Sequence, residues 1–326
     1  MRDINFSLWC DFLERDFINS EFIELIQNGT INGATSNPSI FKEAICNSQA
    51  YSEQKAKFSK RSAKKIYEIL ATNDIKMAAH KMLSNYAAGN DGFVSIEIDP
   101  NLTLTSDIIE EGKKLYNAIK MPNVMIKIPA ISSGFDAMCE LMKKGINVNA
   151  TLIFSKDQAQ NCLDAFKEGT KKYSKKFPQT PLPQGVISVF VSRFDRLLDE
   201  KLEETGKFGI YNATNIYNKI QNAGQRNVRT LFASTGVKSN QLPADYYIKE
   251  LLYPNSINTA PLDTIKSFIA SGEFTPKTIP SSEEIDTFMT KAKEAGVDYN
   301  KVCAKLLDDG LEAFVAAFDE ILTSLS

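Results

Sequence analysis

Apolar and polar positions along the chain fall into two alternating kinds of segment. Short apolar or β-branched runs occur at SLWCD (7–11), GATSN (33–37), FVSIEID (93–99), VMIKIP (124–129), VNATLIF (148–154), VISVFV (186–191), TLFAST (230–235) and INTAP (257–261). Their length and composition predict strands. Between them apolar residues recur three and four apart, as in FIELIQNG, IIEEGKKLYNAI and FDAMCELMKKG, and these helical stretches stop at turn residues such as Asn28-Gly29 and Gly145. Ser155 with Gln158, and Ser281 with Glu284, have the spacing of capping boxes.

Strands separated by helix-length crossovers imply a parallel sheet. Eight such units predict closure into a single α/β (β/α)8 TIM barrel rather than an open doubly wound sheet, and no G-x-G-x-x-G or P-loop pattern argues for the open form. The reading is one catalytic domain over residues 1–326, with the barrel at about 5–275 and additional C-terminal helices at about 281–326. An extra helix is expected from Asp74 to Asn90, and a basic helix end followed by a Pro-rich loop over 169–185. The final stretch, LLDDGLEAFVAAFDEILTSL, is amphipathic and needs a surface to cover. That surface is the barrel, slightly preferred, or a second subunit, so monomer and homodimer both stay open.

Composition narrows the chemistry. A formal net charge of -2 provides no basic field for nucleic acid or an acidic membrane surface. Nothing approaches the ~18 apolar residues of a membrane span, and the first residues do not read as a signal peptide, so a cytoplasmic protein is expected. Five scattered cysteines form no C-x-x-C pair, which argues against a disulfide framework or zinc site. His80 is the only histidine, so His-based metal clusters are excluded and a Ser-His-Asp triad has a single candidate. Its context, AAHKML, reads as a surface or packing position.

Polar residues inside or just past the apolar strands are the informative feature. Asp11 ends the first strand and Asn37 the second; Glu97 lies in the third, Lys127 in the fourth, Asn149 and Thr151 in the fifth. Ser188 lies in the sixth with Arg193 just beyond, and Ser234 in the seventh with Lys238 following. In a barrel such positions converge on the mouth at the C-terminal strand ends. Each also has a structural reading. Asn37 before Pro38 reads as a helix cap, Arg193 as a solvated charge screened by Asp195, and Lys238 as a solvated charge. Lys127, flanked by Met125, Ile126, Ile128 and Pro129, must be paired or neutral if its strand is central.

A functional reading covers the same residues. A desolvated lysine supplies the neutral amine that attacks a carbonyl carbon, and the protonated imine then draws electrons from a neighbouring C–C bond. Glu97 and Thr151 would hold a water that relays protons, and Asp11 would accept the proton of the hydroxyl whose carbon departs as an aldehyde. Arg193, Lys238 and Ser234 would meet a phosphate at the barrel mouth. From the residues alone, the structural and functional readings of Lys127 both remain open.

GATSNPSIFKEAI, VSIEIDP, VMIKIPA, VNATLIFS, VISVFVSRFD and LFASTGVK resemble, in order and over almost the whole chain, the signature segments of the transaldolase family. The resemblance places the Schiff-base role on Lys127, acid/base work on Asp11, and the water on Glu97 and Thr151. It implies that Asn37, Asn149 and Ser188 bind the dihydroxyacetone portion, that Phe190 walls the pocket, and that Arg193, Ser234 and Lys238 bind the sugar phosphate. The implied reaction moves a dihydroxyacetone unit from sedoheptulose 7-phosphate to glyceraldehyde 3-phosphate, in the pentose phosphate pathway, with no metal or organic cofactor. Many relatives have arginine where Lys238 stands, and Phe12 is bulkier than expected beside Asp11. Two alternatives remain: a fructose-6-phosphate aldolase-like enzyme, disfavoured by chain length and the carboxylate of Glu97, and a non-catalytic sugar-phosphate-binding barrel.

Overall fold

The computed structural model describes residues 2–238 and 241–326. Its strands are β1 (Ser7–Cys10), β2 (Gly33–Thr35), β3 (Phe93–Glu97), β4 (Val124–Pro129), β5 (Asn147–Ile153), β6 (Gly185–Phe190), β7 (Val228–Ala233) and β8 (Ser256–Ala260). They close in sequence order into a parallel barrel, β8 pairing with β1. The expected (β/α)8 barrel is therefore present, with each expected strand at its place.

The helices are α1 (Arg15–Ile18), α2 (Glu21–Gln27), α3 (Pro38–Asn47), α4 (Ser52–Phe58), α5 (Ala63–Lys81) and α6 (Leu83–Ala87) in the first two connections. Then come α7 (Thr105–Ile119), α8 (Ser132–Met142), α9 (Lys156–Lys176), α10 (Ser192–Leu198), α11 (Phe208–Asn222) and α12 (Tyr246–Glu250). α13 (Leu262–Ser271), α14 (Ser282–Glu294) and α15 (Tyr299–Ser324) follow β8. The helix expected from Asp74 starts earlier, because Ser62 caps it through a bond from the Lys65 amide, and it breaks between α5 and α6 before Asn90. Both capping boxes form, at Ser155 and Ser281. No helix among the described residues is long and apolar enough to cross a membrane.

Strand alternation divides the core in two. Leu8, Ala34, Val94, Ile96, Ile126, Val148, Ile187 and Phe232 face the surrounding helices. Trp9, Phe93, Met125, Val186, Leu231 and Ile257 fill the barrel as a separate apolar layer. Gly33, paired with Trp9, has to be glycine here, since a Cβ would lie 2.4 Å from the indole.

Below that layer the barrel is closed by charge. The Trp9 indole N–H donates to Asp91 at 2.9 Å, and Asp91 also takes the Arg229 guanidinium at 2.6 Å. Arg229 donates further to Asn5 O, Ser7 Oγ and Ser256 O. This inward arginine of β7 thus ties β1, β8 and the turn before β3 together at that end.

α15 crosses the opposite end of its own barrel. Phe318 meets Tyr67 edge-on at 5.0 Å, Glu320 pairs with Lys42 at 2.8 Å, and Phe314 reaches the cleft at the C-terminal strand ends. Gly310 lets the helix approach closely, because a Cβ there would stand 2.8 Å from Leu152 and 3.0 Å from Arg193 Nη1.

Candidate active site

Except for β4, the strands end one or two residues earlier than their apolar runs, and polar residues at and past the strand ends rim a cleft of about 540 Å³. Asp11 follows β1 but keeps the ladder, its amide donating to Ala260 O at 2.8 Å. Ser234 lies just beyond β7, not within it, in a left-handed conformation (φ 54°). Its backbone carbonyl accepts from the Ser192 amide and its hydroxyl lies 3.1 Å from Ser192 Oγ, which ties the end of β7 to the start of α10.

Lys127 stands at the floor. The register sets it directly opposite Glu97 on β3 and Asn149 on β5, so three polar side chains project together from neighbouring strands. Lys127 and Glu97 are each only 5% exposed, and Nζ lies 3.5 Å from Glu97 Oε2 and 3.3 Å from Ser36 O. Burial pushes the Glu97 carboxyl up to about 7, with the Lys127 charge opposing and Asp11 adding to the rise. Burial also raises Asp11, against the Lys127 charge and a 2.6 Å hydrogen bond from Thr35. Because Thr35 has one hydroxyl proton and gives it to Asp11, Thr259, 2.6 Å away, must donate to Thr35.

Asn149 is held from both sides. Its Nδ2 donates to Ser95 Oγ at 3.0 Å and its Oδ1 accepts from Ser188 Oγ at 2.6 Å. Both Glu97 oxygens and Thr151 Oγ1 are buried without a hydrogen-bond partner among the described residues. Buried polar atoms of this kind are satisfied by water or substrate. Thr151 opens a β-bulge at which the pairing of β5 with β6 shifts, and Leu152 takes the left-handed φ of 57°. Gln158, the capping-box glutamine, clamps that bulge. It donates to Leu152 O and Ala130 O, both at 3.0 Å, and accepts from the Phe154 amide at 2.9 Å.

At the mouth, Arg193 lies over the Phe190 ring, 5.0 Å from its centroid, and lines the cleft with Ser234 and Lys238. Asp195 does not screen it: that carboxylate is buried, accepting from the Gly209 amide at 2.8 Å and the Tyr247 hydroxyl at 2.8 Å. Asn37 does cap α3, accepting from the Ile40 amide at 3.1 Å, and its side chain also faces the cleft. Phe12 lines the rim and packs edge-on against Phe17 at 5.0 Å. His80 is exposed on α5, outside this cleft.

Eight of the eleven candidate residues line the cleft; Glu97 and Asn149 lie in register beside Lys127 beneath it, and Thr151 follows Asn149 two residues along β5. Sequence reasoning missed Thr35, Ser95 and Thr259, although Ser95 stands two residues before Glu97 on the same strand face. It also missed Arg196, three residues after Arg193, and Glu43 and Phe314, which come from α3 and α15 and carry no local signal.

The comparisons agree with this geometry. The family described as Transaldolase/Fructose-6-phosphate aldolase matches residues 8–325. A protein named Transaldolase from Campylobacter jejuni subsp. jejuni serotype O:23/36 (strain 81-176) is 49% identical over 330 residues, covering 98% of this chain and 99% of the relative. One of the same name from Helicobacter pylori (strain P12) is 42% identical over 323 residues, with the same coverage of each chain. With an inward lysine set against a buried carboxylate inside an eight-stranded barrel, and similarity spanning nearly its full length, this chain belongs to the transaldolase/fructose-6-phosphate aldolase family.

Proposed function

We propose that the protein is a transaldolase, moving a dihydroxyacetone unit from sedoheptulose 7-phosphate to glyceraldehyde 3-phosphate through an imine on Lys127. The observation that carries this reading is the in-register pair of Lys127 and Glu97, buried together under a cleft whose mouth bears Arg193 and Lys238. Lys127 Nζ attacks the donor's ketone carbon. Loss of water from the carbinolamine needs a proton donor, and Glu97, with its carboxyl at about 7, exchanges a proton near neutrality. A water between Glu97 and Thr151 would satisfy their buried oxygens and carry that proton. Asp11 then takes the proton of the hydroxyl on the departing carbon as the C–C bond breaks into the iminium, leaving an enamine on Lys127 and a free aldose phosphate. The enamine adds to the acceptor aldehyde, and the same steps in reverse release the new ketose.

Asn149, fixed by Ser95 and Ser188, and Asn37 suit the hydroxyls of the dihydroxyacetone portion, while Phe190 forms a wall. Release of free dihydroxyacetone to water is the aldolase alternative. The carboxylate of Glu97 and the names of the full-length relatives favour transfer. Borohydride reduction with fructose 6-phosphate, read by intact mass, is expected to leave a dihydroxyacetone-derived adduct on the wild type and none on Lys127→Ala. Adding an aldose phosphate acceptor before the reductant should strip the three-carbon unit from the enzyme. Equal trapping of Lys127→Ala would end the imine assignment, and release of free dihydroxyacetone from fructose 6-phosphate without acceptor, as fast as transfer with one, would favour the aldolase.

A further inference from the structure

The cleft mouth holds one more cation than the phosphate site described above uses. Arg196 lines the same cleft as Arg193 and Lys238. It follows Arg193 by three positions on α10, so the two side chains leave one helix face, with Cβ atoms ~5–6 Å apart. None of the ion pairs among the described residues involves Arg193, Arg196 or Lys238. Nearby carboxylates are engaged elsewhere. Asp195, between the two arginines in sequence, is turned into the core against Gly209 and Tyr247, and Asp309 pairs with Lys305 at 2.9 Å. The acidic residues lining the cleft are Asp11, bound by Thr35 on the floor, and Glu43 on the far side.

Two guanidiniums on one helix face repel each other: burial first, and then Arg196, make Arg193 harder to keep charged, and Asp309, already paired with Lys305, opposes them only from a distance. A folded protein keeps such an arrangement at a cost that an anion in the cleft would offset. A phosphate dianion fits, because it needs about two positive charges and accepts hydrogen bonds on three outer oxygens.

We propose that Arg196 is a phosphate-contacting, specificity-determining residue: it forms the outer jaw of a two-arginine clamp, with Arg193 as the inner jaw held on the Phe190 ring. This rests on the reading of the mouth as the phosphate end. Arg193, half-buried between Phe190 and the backbone of Gly310 on α15, sets the orientation. Arg196, exposed at the rim, is the first charge an arriving phosphate meets and the last it leaves.

The test compares wild type with Arg196→Gln, Arg196→Lys and Arg193→Ala, reading kcat/KM for fructose 6-phosphate and for fructose as donors. In a two-stage transfer this parameter reports only the half-reaction with the donor. Arg196→Gln should lower the fructose 6-phosphate over fructose ratio about tenfold, mostly through KM, and raise the inhibition constant of inorganic phosphate in parallel. Arg196→Lys should recover part of both. If Arg193→Ala lowers the ratio and Arg196→Gln does not, Arg196 is a solvated charge and the clamp is wrong. If Arg196→Gln lowers both donors equally, its role is structural and the clamp is equally wrong. A ratio unchanged in Arg193→Ala as well would overturn the phosphate end itself.

Discussion

Lys127 and Glu97 show how much one register pairing determines. Each alone is an expensive group to bury, but opposite each other at 3.5 Å they share the cost, and the balance leaves the carboxyl at about 7. That value lies above the ordinary 4.5, so between about pH 4.5 and 7 the folded state holds a proton that the unfolded chain has released. Stability therefore falls as pH rises through that window and is level above it, with the group's unfavourable effect fully developed above about 7. Glu97→Gln should remove this slope: urea unfolding should show the variant gaining on the wild type from about pH 4.5 to 7 and running parallel beyond. The same substitution should abolish any limb near neutrality in the donor kcat/KM profile. A stability difference that does not change across the window would mean that Glu97 titrates as an ordinary carboxylate. Glu97 and Lys127 were both legible in the sequence as charges inside apolar strands; their pairing was not, because it depends on which residues of β3 and β4 lie side by side.

At the scale of elements, the bulge in β5 and the cap of α9 act as one device. A leucine at positive φ is strained, and such strain persists only where the surroundings over-determine it. Gln158 does this, joining Leu152, Phe154 and the end of β4 through one side-chain amide. Gln158→Ala leaves several buried backbone groups unpaired and should cost about 1–3 kcal/mol of stability. It should also lower kcat more than it raises donor KM, since Thr151 sits at the bulge and not at the phosphate end. A variant that is destabilised but keeps full kcat would show that Thr151 is positioned by something else. The capping box itself was readable from the spacing of Ser155 and Gln158. Its second duty was not, since the strain it restrains arises only when β5 is forced to pair with β6 on one side and to meet α15 on the other.

At the scale of the whole molecule, the two barrel ends have separate physics. The lower end is sealed by the Trp9, Asp91 and Arg229 set, far from the cleft, and the upper end is left open for chemistry with α15 laid across it. Arg229→Met removes a half-buried ion pair and its further hydrogen bonds, so thermal and urea unfolding should reveal a loss of about 2–4 kcal/mol. Donor kcat/KM of the folded variant should stay within about twofold of the wild type. A large fall in turnover without a fall in stability would show that the two ends communicate.

The sequence by itself determined the alternation of eight strands with helices, the barrel it implies, and about half of the polar residues that line the cleft, Asp11, Lys127 and Arg193 among them. Those signals are local: period-two and period-three-to-four patterns, caps, and charges that apolar neighbours make conspicuous. Only the tertiary structure decided which of them meet. It set Glu97 against Lys127 and Asn149 between Ser95 and Ser188, turned Asp195 away from Arg193, and brought Phe314 and Gly310 from the far end of the chain to the mouth. The physical reason is that barrel closure fixes strand register and helix docking together, and both are sums over contacts between residues distant in the chain, which no window of sequence contains.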